Sequence, residues 1–372
     1  MVPAIRPYFE IDEEAMQTVA AALASGHVSN NGRHVQEFER QLAEYLGVSE
    51  TVAVSTGSDA LLLSLKALVL PRGKAILPAY TYIATLNAVM HSGLDPVFCD
   101  IEPDTFTLST EHLRQLLLEN ADVRCVVAVN VFGVPPDLAA IRKLCDPIGA
   151  KLVYDNAHGF GTVDAGRRIA REPDVQTFSF HATKTLPAVE GGLIVSGDPE
   201  IVSMVKRLRN HGLASNQADA VAGFNAKMDE LRAIIGTYSL KHFPETLARR
   251  RAYGDRLMEA FRRHTESYTP QVIPESVQTN YQNLGVCCHA ANQVGIARVV
   301  ELFGLNGVAV RPYFDPPLYK FTGIVQAPAL PVTEAVWRTL VSVPIHSHMS
   351  ETALGRIEKA AEEVADTLRA AH

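Results

Sequence analysis

The chain is poor in cysteine and has no C-x-x-C pair. Its five cysteines, Cys99, Cys125, Cys145, Cys287 and Cys288, are odd in number and scattered, which argues against a disulfide framework and against structural zinc. Three lie in or beside apolar runs, the usual setting of a buried free thiol. Long basic runs are missing too: 34 Lys and Arg stand against 41 Asp and Glu, for a net charge of -7. Nucleic acid is therefore not an expected partner. The opening MVPAIRPYFEIDEEAM lacks the basic start and apolar run of a secretory leader. No uncharged apolar segment reaches the roughly 20 residues of a membrane span, so no membrane contact and a cytoplasmic location are expected. Neither G-x-x-x-x-G-K-[ST] nor G-x-G-x-x-G after a strand occurs, which removes support for nucleoside triphosphate and dinucleotide sites. Paired carboxylates or histidines at ligand spacing are also wanting, so no metal is expected. There is no internal repeat or low-complexity tract.

What remains is a chain with 47% apolar and 20% charged residues among 372, enough for one large domain and a smaller one. From about residue 50 to 245, short β-branched runs alternate with helical patterns. The strand candidates are 51–54, 75–78, 96–101, 125–132, 151–155, 177–181 and 192–197. Most are too apolar to have a wet face, as strands buried between helical layers are. Between the first two, SDALLLSLKAL puts Leu61, Leu65 and Leu68 on one helical face. The pattern predicts an α/β fold with a large, mostly parallel, doubly wound sheet. Residues 11–47 read as helical, broken by the Gly-, Ser- and Asn-rich stretch 25–34. Beyond about 245 come a long helix, mixed strands and an amphipathic helix from Glu351. The boundary is placed at Phe243 and Pro244, giving a large domain over 1–243 and a small α+β domain over 244–372.

Ligands of an open parallel sheet bind beyond the carboxyl ends of its strands. Three such ends carry polar groups. After the first strand, Gly57, Ser58 and Asp59 open a helix. Free N–H groups at a helix start favour a phosphate, although Ser and Asp are also ordinary caps. Asp155 ends KLVYD and is followed by Asn156, Ala157 and His158. It can cap a turn, act as a base or pair with a cationic ring nitrogen, and His158 can be a hydrogen-bonded core residue. Lys184 follows TFSFH, with Ser179 in that strand and Glu190-Gly191-Gly192 behind it. A lone lysine there is commonly a surface charge. With the aromatic Tyr80-Thr81-Tyr82 on the same edge, the set has the parts of a pyridoxal phosphate site: an amine, a carboxylate, a phosphate turn and a ring to stack.

The segments AVSTGSDALLLSLKAL, LPAYTYIATLNAVMHSGLDPVFCDIEPDTF, VYDNAHGFGT, FSFHATKTLPAVEGG, RNHG, GFNAKMDELRAIIG and LVSVPIH follow one another in a familiar order. In this the chain resembles the DegT/DnrJ/EryC1/StrS family of fold-type-I, pyridoxal-phosphate-dependent sugar aminotransferases. The resemblance implies that Lys184 forms a Schiff base with the cofactor and moves the substrate proton. It implies that Asp155 pairs with the pyridinium nitrogen and that His158 lies near the ring. Gly57, Ser58, Asp59 and Ser179 would hold the phosphate, and Tyr82 would stack on the ring. Asn225 would reach the phosphate of the neighbouring subunit, so a homodimer with shared sites is implied. Lys227, Arg311 and Tyr313, with Phe314, would meet the substrate.

Four positions depart from the family pattern: Ser58 for Thr, Asn156 for Ala, Lys227 for Arg, and Pro317-Leu318-Tyr319 for Pro-Leu-His. Retention of Lys184 and Asp155 separates the chain from the dehydratase branch, where a histidine replaces the lysine. The implied reaction takes an amine from L-glutamate, or L-glutamine, to a nucleotide-linked keto-sugar such as a 4-keto-6-deoxyhexose. A keto-cyclitol acceptor and a non-catalytic metabolite sensor are the alternatives.

Overall fold

The computed structural model describes residues 1–214, 219–321 and 330–370. Eight strands are formed in the first two thirds of the chain: β1 (Val52–Val54), β2 (Lys74–Pro78), β3 (Asp95–Cys99), β4 (Val123–Val129), β5 (Lys151–Asp155), β6 (Val163–Asp164), β7 (Val175–Ser179) and β8 (Gly192–Val195). Seven of them build one sheet in the order β1-β8-β7-β5-β4-β2-β3. The pairs β3/β2, β2/β4, β4/β5 and β5/β7 are parallel. Only β8 runs against its neighbours β7 and β1. The predicted runs 125–132 and 177–181 each extend past the strand that forms, which ends at Val129 and at Ser179.

Alternating side chains reach two layers of helices, as the pleat requires. Helices α1 (Glu13–Ser25) and α2 (Arg33–Leu46) precede the sheet. α3 (Gly57–Ala67), α4 (Ile83–Ser92), α5 (Thr110–Glu119) and α6 (Leu138–Cys145) connect its strands, and α7 (Pro199–Arg209) and α8 (Glu230–Lys241) follow. On one face Val127 and Val153 pack with Leu61 and Leu65 of α3 and Leu86 of α4. On the other, Val126, Leu152 and Tyr154 pack with Leu113 of α5 and Ile141 of α6. Asp155 therefore belongs to the α3/α4 side, two residues along from Val153.

The C-terminal part has helices α9 (Phe243–Arg262), α10 (Ala291–Val294), α11 (Ile296–Leu305), α12 (Pro331–Thr339) and α13 (Glu351–Ala370). Its strands are β9 (Tyr268–Pro270), β10 (Val277–Gln278), β11 (Leu284–Cys288), β12 (Arg311–Pro312) and β13 (Leu340–Val343). Four form an antiparallel sheet, β12-β13-β11-β9, covered by α9, α11 and α13, while β10 pairs with β6.

The division expected at Phe243 and Pro244 is not a clean cut. Phe243 and Leu247 of α9 lie in the core beneath β7 and β8, whereas Leu257, Met258 and Phe261 lie in the C-terminal core. The N-terminus also crosses over, since Val2 sits in the C-terminal core and exchanges hydrogen bonds with Gly307 and Ala309. We propose that the boundary runs through α9, with the first residues of the chain belonging to the smaller unit.

Candidate active site

The start of α3 is built as an anion cradle. Thr56 caps the helix by accepting from Asp59 N–H, and its carbonyl accepts from Ala60 N–H. The N–H groups of Gly57 and Ser58 remain as the first donors of the helix, where its dipole is positive. The Asp59 carboxylate accepts from the hydroxyls of both Ser55 and Thr56, so it braces the turn. Close approach demands glycine here. A Cβ on Gly57 would stand 2.8 Å from Ser179 Cβ, and one on Gly192 would stand 2.3 Å from the Thr56 carbonyl oxygen. Ser179 is consequently pressed against the mouth of α3.

Asp155 is 4% exposed at the end of β5. Its Oδ2 accepts from the Thr85 hydroxyl at 2.8 Å and its Oδ1 from Ala157 N–H at 3.2 Å. Burial raises its pKa, and Thr85, Ala157 and the positive charge of Lys184 pull the other way. Such a carboxylate favours a further cation. His158 is buried, with its ring stacked on Phe314 at 6.0 Å and on Phe132 at 6.0 Å. Phe132 N–H donates to its Nδ1 at 3.3 Å, which leaves Nε2 to carry the proton in the neutral ring. Burial pushes its pKa well down, helped by Lys184, so the ring is uncharged at neutral pH.

Lys184 lies on a loop that leaves β7 and returns to β8. Phe180 N–H donates to Gly191 O, Ala182 N–H to Val189 O and Lys184 N–H to His181 O, each at 2.8 Å. Lys184 is half-buried. Burial lowers its pKa to about 8, against the opposing pull of Asp155. The free amine is thus about a tenth of the total at pH 7 and about half of it near pH 8, and a free amine is a condition for nucleophilic use of lysine.

The remaining expected residues are spread more widely. Tyr313 lines the Lys184 cleft, and Arg311 stands over its ring at 5.7 Å. Phe314 is in the aromatic cluster on His158. Tyr82 is the N-terminal cap residue of α4 and is 61% exposed. Asn225 is exposed, and Lys227 donates to Asn210 Oδ1 at 3.1 Å. The segment that holds Asn225 and Lys227 runs beside the entry to the cradle, since Ser55 N–H donates to Ala226 O at 2.8 Å and Lys227 pairs with Val54.

Sequence reasoning missed several lining groups. Thr85 lies inside α4, where it reads as one more helical residue. Arg6 and Tyr8 come from the N-terminus, Gln282 from the segment before β11, and His346 from beyond β13, yet all meet Lys184 in one cleft. Tyr8 also stacks on His348 at 3.4 Å. Among the described residues, no group of three or more His, Cys, Asp or Glu is arranged to hold a metal ion, and no helix is long and apolar enough to cross a membrane.

The arrangement joins an amine of lowered pKa, a cation-seeking carboxylate and an anion cradle at one sheet edge. A model of the DegT/DnrJ/EryC1/StrS aminotransferase family matches residues 9–362. The chain belongs to that family. Like others of the DegT/DnrJ/EryC1/StrS group, it is an aminotransferase with the fold-type-I architecture. It is 29% identical to GDP-perosamine synthase of Vibrio cholerae over 354 residues, covering 92% of this chain and 94% of that one. It is 27% identical to dTDP-4-amino-4,6-dideoxy-D-glucose transaminase of Escherichia coli over 370 residues, covering 96% and 97%. Among solved structures, DesI in the presence of its TDP-sugar product matches with a TM-score of 0.88 at 30% identity, covering 100% of this chain and 96% of DesI.

Proposed function

We propose that this aminotransferase uses pyridoxal phosphate to move the amino group of L-glutamate or L-glutamine to a nucleotide-linked keto-sugar, with a 4-keto-6-deoxyhexose as acceptor. The observation that carries the reading is the meeting of Lys184, Asp155 and the α3 cradle at one edge of the sheet. The residues fit the cofactor. Gly57 and Gly192 keep the cradle free of side chains, and Asp155 is a buried carboxylate suited to a protonated pyridine nitrogen. Lys184 offers an amine for an aldehyde. The compounds in the names of two relatives, GDP-perosamine and dTDP-4-amino-4,6-dideoxy-D-glucose, support a nucleotide-sugar acceptor, and the 4-amino group of the second supports amination at C4.

Bound pyridoxal phosphate supplies an electron sink and carries the amine between the two half-reactions. The chain does the rest. The N–H groups of Gly57 and Ser58, with the Ser179 hydroxyl, hold the phosphate, while Asp59 keeps their turn rigid. Asp155 keeps the ring nitrogen protonated, and Thr85 keeps Asp155 ionised and aimed. Lys184 Nζ would be the amine that bonds the cofactor's aldehyde, and the same group would be the base for the proton of the amine-bearing carbon. In the second half-reaction it delivers a proton to the sugar carbon that gains the amine. His158 presents an uncharged N–H, and Tyr313 with Arg311 faces the acceptor. Asn225, which is exposed, and Lys227 serve the site of a second copy in a homodimer.

The test is a mass-spectrometric screen of nucleotide-linked keto-sugars and keto-cyclitols, each with L-glutamate and L-glutamine. The keto-to-amine mass change with a nucleotide-linked acceptor is expected. Conversion of free cyclitols alone would overturn the acceptor assignment, and absence of amine transfer to every ketone would overturn the reaction.

A further inference from the structure

The loops that carry Asp155 and Lys184 leave the carboxyl ends of two parallel neighbours, β5 and β7, and beyond those ends their peptide groups lose ladder partners while staying buried. Buried peptide groups need replacements. Both loops find them in one short segment of the C-terminal part, residues 280–282, just before β11. The Gln282 side chain spans Lys184. Its Oε1 accepts from Thr185 N–H at 3.0 Å, and its Nε2 donates to the Thr183 carbonyl at 3.0 Å. The carbonyl of one residue and the N–H of the residue two further on are the pair that a parallel strand neighbour would satisfy. Gln282 copies that neighbour with its side chain.

Asn280 serves the other loop through its carbonyls alone. Its Nδ2 donates to the carbonyls of His158 at 2.7 Å and Phe160 at 2.9 Å. Its Oδ1 accepts from Gln282 N–H at 2.8 Å, so the two amides are joined. Each amide orientation is fixed, since one end meets carbonyls and the other N–H groups. Asn280 is 0% exposed and Gln282 is 7% exposed. Arg250, itself buried, donates to the carbonyls of Tyr281 at 2.7 Å and Gln282 at 2.8 Å and anchors the segment from α9.

We propose that Asn280 and Gln282 are positioning residues that hold the Lys184 loop and the Asp155–His158 loop at fixed distance, and so set where the lysine amine stands. This inference rests on Lys184 as the cofactor-bonding amine. A structural tie alone could be made by apolar packing. The use of two coupled amides, one on each side of the reacting groups, fixes register as well as proximity.

Hydrogen exchange of the cofactor-free protein reads the strut without turnover. In Gln282→Met the Thr185 amide should exchange about ten-fold faster or more, with α13 and the β4 peptides unchanged, which corresponds to one lost buried hydrogen bond. With cofactor added, kcat should fall on the order of 30-fold while KM for donor and acceptor stays within about three-fold, as misplacement of a reacting group predicts. Gln282→Glu supplies the rescue. Its protonated acid can donate to Thr183 O and accept from Thr185 N–H, so kcat relative to wild type should recover as pH falls.

Tyr268→Phe is the stability control, since it removes a buried hydrogen bond to Ala361 far from either loop. The proposal is overturned if Thr185 exchange is unchanged in Gln282→Met. It is equally overturned if that variant only loses Tm as Tyr268→Phe does, with kcat per loaded site intact. Failure of the wild-type protein to load cofactor on Lys184 would instead sink the functional reading, and the exchange data would still decide whether the strut exists.

Discussion

Lys184 and Asp155 each suffer from burial and each relieve the other. Burial brings the lysine to about pH 8 and raises the aspartate, while their mutual attraction opposes both shifts. Below about pH 8 its amine is protonated and cannot attack an aldehyde, and each unit lower removes about nine tenths of the free base. The rate of pyridoxal phosphate capture by the cofactor-free protein should therefore rise with pH and level off above a midpoint near 8. Stopped-flow absorbance checks this, and a flat profile across pH 6 to 9 would refute it. Thr85 is the second sensitive residue. Thr85→Val removes one of the hydrogen bonds to Asp155, costing about 1.5–3 kcal/mol for a bond to a charged group. Cofactor affinity by equilibrium dialysis should fall about ten-fold or more, with Thr85→Ser restoring it. The strand end at Asp155 and the loop that carries Lys184 were legible in the sequence, because an apolar run stops there at polar residues. Thr85 was not, because nothing in a helical pattern says which residue its hydroxyl will meet.

Elements place these groups through contacts between backbones. The antiparallel return of β8 brings Gly192 between Val54 and Ser179, and α3 begins directly above. Gly57→Ala would drive a methyl group into Ser179 and tilt the first turn of α3 off the sheet. Phosphate hold should weaken while the fold survives, so cofactor affinity should drop about ten-fold with Tm changed by only a few degrees. Affinity equal to wild type would show that the α3 mouth does not hold the phosphate. The alternation of strands and helices was readable from apolar periodicity, and so was the break between α1 and α2. The antiparallel direction of β8 was not, because its run GLIV is as apolar as its parallel neighbours. The two-residue strands β6, β10 and β12 were too short to leave a pattern.

The whole molecule closes over the site from distant parts of the chain. Val2 pairs with Val308, Arg6 and Tyr8 line the cleft, and Gln282 reaches the Lys184 loop across 97 residues of sequence. None of this was readable beforehand, since long-range polar pairs carry no periodic signal. The role proposed for Asn225 at the site of a second copy is tested by complementation. In a hybrid of Lys184→Ala and Asn225→Ala subunits, one site carries both changes and the other neither. An equal mixture should then recover about a quarter of wild-type activity, since half the dimers are hybrids with one intact site each. No recovery above the two parents, with hybrids formed, would show that the sites are not shared.

The central claim is that Lys184 bonds pyridoxal phosphate at the edge of the sheet. Loading the protein with pyridoxal phosphate, reducing with borohydride and mapping the peptides by mass spectrometry addresses it most directly. The pyridoxyl mass should appear stoichiometrically on the peptide containing Lys184 and vanish from that peptide in Lys184→Ala. Stoichiometric label on another lysine, or none at all in the wild-type protein, would contradict the account.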